Sequence, residues 1–183
     1  MHRILVLLAL LAGPVQAQDA AALRERHATL KAQLASNPFG RPLHVVSSAD
    51  GGKHKGEIYA VIDEPYRAVA SALVRAATWC DVLVLQVNVK RCDASGGKVL
   101  AFITQKPRDP ADSAHRVEFG FAGAATLDYL KVALTAPEGP VGSRDYDIRL
   151  EAVPLDERRS FIHMSYAYTL GWMARLAMNA YLA

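Results

Sequence analysis

From Asp145 to Val153 the chain alternates without a break: Tyr146, Ile148, Leu150 and Ala152 are apolar or aromatic, and Asp145, Asp147, Arg149 and Glu151 between them are charged. Successive side chains of a strand point to opposite faces, so this stretch reads as a strand with one buried and one wet face. The same period runs through most of the second half. Val117, Phe119 and Phe121 alternate with Arg116, Glu118 and Gly120, and Leu130, Val132 and Leu134 alternate with Tyr129, Lys131 and Ala133. From Arg159 to Thr169, Ile162, Met164, Tyr166 and Tyr168 fall on one side, and Phe161, His163, Ser165 and Ala167 on the other. The chain is therefore built around antiparallel strands.

Earlier segments add to the same layer. Leu43 to Ser48 and Lys55 to Ile62 flank Ala49-Asp50-Gly51-Gly52, the turn chemistry of a hairpin, and Gln86 to Cys92 and Lys98 to Gln105 flank Asp93-Ala94-Ser95-Gly96-Gly97. Between these pairs, Asp63-Glu64-Pro65 is a helix start, and Tyr66, Val69, Ala70 and Leu73 repeat at helical spacing, which predicts one helix running toward Trp79. Asp19 to Leu34 reads as a weakly amphipathic helix on the surface or at an edge, ended by Asn37-Pro38. Leu170 to Ala183 puts Met173, Leu176, Ala177 and Ala180 at helical spacing and reads as a largely covered closing helix.

The N-terminus has a separate logic. Met1-His2-Arg3 precedes the apolar run Ile4 to Ala12, then Gly13-Pro14, then the small-residue site Val15-Gln16-Ala17. That is the pattern of a cleavable secretory signal over residues 1–17, leaving Gln18 as the new N-terminus of a periplasmic or secreted protein. The run is too short to span a bilayer, which takes about 20 apolar residues, and no cysteine stands at the junction to carry a lipid anchor. The remainder has the length of one soluble domain without a stable membrane anchor. Its formal charge of +3 falls by one with Arg3, and its basic residues are scattered among acidic ones, so nothing makes a nucleic-acid footprint.

Cys80 and Cys92 are the two cysteines, and an even count in an exported chain favours a disulfide over separate buried thiols. A straight strand between them would hold them roughly 35 Å apart. They can bond only if the chain turns back near Val84 to Gln86.

Hairpin, helix, strands and closing helix come together in GEIYAVIDEPYRAVASAL, in DYDIRLEAV followed by SFIHMSYAY, and in LGWMARLAMNAYLA. In this order the chain resembles the START-like, or SRPBCC, superfamily, which includes polyketide cyclase-like proteins. The resemblance implies an α+β helix-grip fold, a curved antiparallel sheet wrapped around a C-terminal helix. After the signal (1–17) and the N-terminal helix and linker (18–40), the resemblance makes 41–183 the helix-grip domain. It further implies a cavity between sheet and helix that takes an apolar small molecule or lipid. Phe102, Phe119, Tyr146, Ile148, Met164, Tyr166, Tyr168 and Met173 are the expected ligand-binding set: apolar walls with a few hydrogen-bonding tips.

Catalytic signatures are missing from the sequence. There is no HExxH or CxxC, no GxSxG and no phosphate-binding glycine loop, so neither metal nor cofactor is expected and no catalytic residue is assigned. Asp145, Asp147 and Glu151 share a face with Arg149 and read as a solvated outer surface. The expected function is an exported carrier or binder of a lipid-like or aromatic ligand. Two alternatives stand beside it: a cyclase- or aromatase-like enzyme with Tyr146, Tyr166 or His163 as its polar groups, and an interaction module with a filled core. The oligomeric state is left open.

Overall fold

The structure is a computed structural model that describes residues 15–172. The expected signal up to Pro14, and the expected closing helix from Met173 onward, lie outside the described residues.

Eight strands, β1 (Leu43–Asp50), β2 (Lys53–Ile62), β3 (Val89–Ser95), β4 (Lys98–Ile103), β5 (His115–Ala125), β6 (Leu130–Glu138), β7 (Ser143–Pro154) and β8 (Ser160–Leu170), make one antiparallel sheet. Its order is β1-β2-β8-β7-β6-β5-β4-β3. The last strand therefore lies between the first hairpin and the rest of the sheet. Two hairpins close more tightly than the turn-rich stretches suggest. Asp50 pairs with Lys53 and Ser95 with Lys98, leaving only Gly51-Gly52 and Gly96-Gly97 in the loops, all four at positive φ. Two successive left-handed residues give the hairpin turn whose twist matches its strands, and glycine adopts them without steric cost.

Among the described residues four α-helices accompany the sheet in an α+β fold: α1 (Val15–Thr29), α2 (Lys31–Ala35), α3 (Tyr66–Leu73) and α4 (Ala76–Leu83). The single helix expected from Pro65 to Trp79 is two. Arg75 is extended, and the Trp79 indole donates to the Leu73 carbonyl at 2.9 Å, taking up one of the acceptors that the end of α3 leaves free. After α4 the chain turns back through Val84 to Asn88, so β3 starts at Val89 rather than Gln86. That reversal brings Cys92 to Cys80, and the two form a disulfide with Cα atoms 5.2 Å apart.

The sheet buries both faces over part of its area. On the inner face, α3 and α4 cover Val99, Ala101, Val117, Leu130, Val132, Leu134, Leu150 and Ala152. On the outer face, Ala20, Leu23, Leu30 and Leu34 of the N-terminal segment pack against Tyr59, Tyr129, Val153 and Phe161. Pairs Asp19–Lys131 at 3.2 Å and Arg24–Asp128 at 2.8 Å flank this second layer. The alternating face of β7 is thus wet at Arg149 but covered at Val153, which corrects the reading of that face as solvated throughout.

Candidate functional site

Where α3 crosses β7 the inner face is solid core. Farther along the same strands, beyond the end of α4, it opens into a cavity of about 430 Å³. Ile103, Phe119, Ile148, Met164 and Tyr166 form its sheet wall. Val82, Leu83, Gln86, Asn88 and Val89 form the opposite wall, and Pro140 and Tyr146 close the end at the β6–β7 turn. The disulfide fixes the second wall, because Cys80 and Cys92 bracket it.

Alternation explains the sheet wall. The register places Ile148 opposite Leu134 and Tyr166, and Met164 opposite Leu150 and Ile58, so one apolar parity continues from strand to strand. A bulge resets β7 just before the cavity: Asp145 takes a φ of 56°, and the pairing with β8 shifts between Arg144 and Asp147. Tyr146 is thereby stacked on Tyr168 with centroids 5.6 Å apart, while Phe119 meets it edge-on at 6.1 Å. Its hydroxyl shares a 2.7 Å hydrogen bond with Ser143 Oγ. Burial, and then the neighbouring phenols of Tyr146 and Tyr168, push the Tyr166 hydroxyl well above the usual phenol range, so it stays protonated as a donor.

Of the expected ligand set, Phe119, Tyr146, Ile148, Met164 and Tyr166 line this cavity. Tyr168 has the same parity but borders a separate groove of about 340 Å³ with His54 and Gly56, where it stacks on His54 at 5.2 Å. Phe102 does not join the cavity residues. Val99 and Ala101 are fully buried and Ile103 lines the cavity, so Phe102, of opposite parity, lies on the outer face, where Arg91 sits 4.1 Å over its ring. Met173 lies outside the described residues.

Asn88 is a wall residue that the sequence reading passed over. Its Nδ2 donates to the Gln105 carbonyl at 3.2 Å, which fixes the orientation of the amide, and its Oδ1 is buried without a hydrogen-bond partner among the described residues. An asparagine between Val87 and Val89, in a largely apolar stretch between two cysteines, was the available signal.

A second polar cluster sits on the outer face. His163 Nδ1 donates to Glu151 Oε2 at 3.1 Å, Tyr129 donates its hydroxyl to Glu151 Oε1, and His163 Nε2 lies 3.5 Å from Glu57 Oε1. The imidazole stacks on Tyr59 at 4.4 Å with rings nearly parallel. Glu151 is therefore no part of a solvated face. His163 is also separated from Tyr146 and Tyr166 by the sheet, so these three cannot act on one substrate. Among the described residues no group of three His, Cys, Asp or Glu side chains is placed to hold a metal ion.

An antiparallel sheet with helices on both faces and a mostly apolar inner cavity defines the class among the described residues: an α+β domain. No protein-family model matches the chain, and no curated protein matches it. Solved structures similar to it include norcoclaurine synthase from Thalictrum flavum, at 13% identity and a TM-score of 0.45 over 72% of this chain and 78% of that one. A conserved protein from Geobacillus kaustophilus has 13% identity and a TM-score of 0.45 over 70% and 86%. CalU16 from Micromonospora echinospora has 12% identity and a TM-score of 0.38 over 72% of each chain.

Proposed function

We propose that this protein is an exported binder of a neutral, predominantly apolar small molecule carrying a hydrogen-bond donor. The observation that carries the reading is the cavity wall. Among its described lining residues there is no Asp, Glu, Lys, Arg or His, and the one buried polar atom without a partner is an acceptor, Asn88 Oδ1. A bound carboxylate or phosphate would lose its hydration there without a counter-charge, whereas a hydroxyl or N–H would satisfy the amide oxygen. The volume lies within the range of small-molecule pockets.

N-Phenyl-1-naphthylamine is neutral, apolar and has one N–H, and its fluorescence rises in apolar surroundings. The protein is expected to bind it saturably, and Asn88→Leu to weaken binding about tenfold, as the loss of one buried hydrogen bond implies. Absence of saturable binding, or equal affinity in Asn88→Leu, overturns the reading. Export is supported by the Met1 to Ala17 pattern and is compatible with the disulfide. The secreted form should have the intact mass of a chain beginning at Gln18, and a mass that includes Met1 to Ala17 would show that no signal is removed.

A further inference from the structure

The α4–β3 connection is apolar where a loop is ordinarily polar. Leu85 is 80% exposed, Val87 68% and Val84 47%. Two more large apolar side chains stand beside it, Val141 at 56% and Trp172 at 66%. Their proximity follows from the cavity: Val82 and Pro140 both line it, and the Gly171 N–H bonds the Gly142 carbonyl at 3.1 Å, which sets Trp172 against the turn that carries Val141. Val141 itself is held at a φ of 58°, a left-handed conformation costly for a β-branched residue.

The flank of this rim is basic. Asn88 bonds the Gln105 carbonyl and Lys90 Nζ the Pro107 carbonyl, tying the 104–108 loop to the rim and setting the exposed Lys106 and Arg108 beside it. The Asp109 carboxylate in the same loop accepts from the Lys106 N–H at 2.8 Å. Exposed apolar side chains next to cations that make no ion pair among the described residues complement a surface that is apolar inside and anionic at its boundary.

We propose that this rim docks reversibly on a lipid bilayer carrying anionic headgroups, with Leu85, Val87, Val141 and Trp172 entering the interface and Lys90, Lys106 and Arg108 meeting phosphates. Among the described residues no helix is long and apolar enough to cross a membrane, so the contact is peripheral. Val82, Gln86 and Pro140 of the cavity wall adjoin this rim. Docking stands on the surface alone and does not require the cavity reading.

The test uses the full chain from Gln18 and vesicles of phosphatidylcholine, alone or mixed equally with phosphatidylglycerol. Sedimentation with the mixed vesicles is expected, and little with phosphatidylcholine alone. Trp79 is buried, so a blue shift of tryptophan emission on binding should vanish in Trp172→Phe. Leu85→Ser with Val87→Ser should reduce vesicle binding at least about tenfold while leaving N-phenyl-1-naphthylamine binding and circular dichroism unchanged. Lys106→Gln and Arg108→Gln should each weaken it about fivefold. The proposal is overturned if the protein stays in the supernatant with anionic vesicles, or if both sets of variants bind like the parent. It is also overturned if light scattering shows a dimer that the Leu85/Val87 variant abolishes, which would assign the rim to a second copy of the chain.

Discussion

His163 is gripped from both sides, by Glu151 at 3.1 Å and Glu57 at 3.5 Å, with the Tyr59 ring stacked against it. Its hydrogen bond holds the Glu151 carboxyl below the usual carboxylate range, with a second contribution from the Tyr129 hydroxyl; Glu57 is held down chiefly by Lys55. Both shifts are depressions, so as pH falls the unfolded chain takes up these protons before the folded one. Their stabilisation is complete above the ordinary carboxylate value of about 4.3 and is lost as pH drops through the folded values. Urea midpoints of the parent are expected to fall between about pH 5 and pH 3, and those of Glu151→Gln to fall less steeply over that window. An unchanged slope in Glu151→Gln would remove this pair from the acid response. None of this was readable from Glu151 and His163 in sequence, twelve positions apart, because their meeting depends on the β7–β8 register that sets them directly opposite. Asn88 was hidden for the opposite reason: its neighbours are apolar, and only the packed structure shows which of its atoms lacks a partner.

Among the elements, strands were legible because a period of two is a local signal. Tyr146, Ile148, Leu150 and Ala152 were assigned to one face from spacing alone, and the structure puts them there. Legibility ended where a long-range contact overrides local preference. Tyr66 to Trp79 keeps helical composition throughout, yet the helix breaks at Arg75. Phe102 invited grouping with other aromatics, but its parity was set by Ala101 and Ile103 on either side. Sharing a face also did not mean sharing an environment. Ala152 is fully buried in the core that α3 covers, whereas Ile148, two pairs along the same strand, lines the cavity. Enlarging the two therefore separates core from cavity. Ala152→Leu should cost about 1–3 kcal/mol in urea unfolding through overpacking. Ile148→Phe should cost less and instead suppress N-phenyl-1-naphthylamine binding. Equal destabilisation by both, with binding intact, would show that the probe does not use this space.

At the scale of the molecule, the described residues before Arg41, from Val15 on, form a second layer. Its sequence suggested a weakly amphipathic helix, and its three buried leucines, Leu23, Leu30 and Leu34, are too widely spaced to announce a strong face. What makes them a layer is their partner. Tyr129, just before β6, joins Val153 and Phe161 on the outer parity of β7 and β8 at the end of the sheet where Glu151 and His163 are covered, and His27 of α1 lies with its ring 4.9 Å from Phe161. The outer face can be apolar there only because α1 and α2 remove it from water. Leu23→Ala should then cost about 2–5 kcal/mol, the range for a leucine truncated in a packed interior rather than on a surface helix. A chain starting at Arg41 should unfold at lower urea and bind 8-anilinonaphthalene-1-sulfonate at the uncovered Tyr59, Val153 and Phe161, while the disulfide, on the other side of the sheet, still forms. If Leu23→Ala costs no more than about 0.5 kcal/mol, and the shortened chain matches the parent in both measurements, the N-terminal helices rest on the sheet without stabilising it.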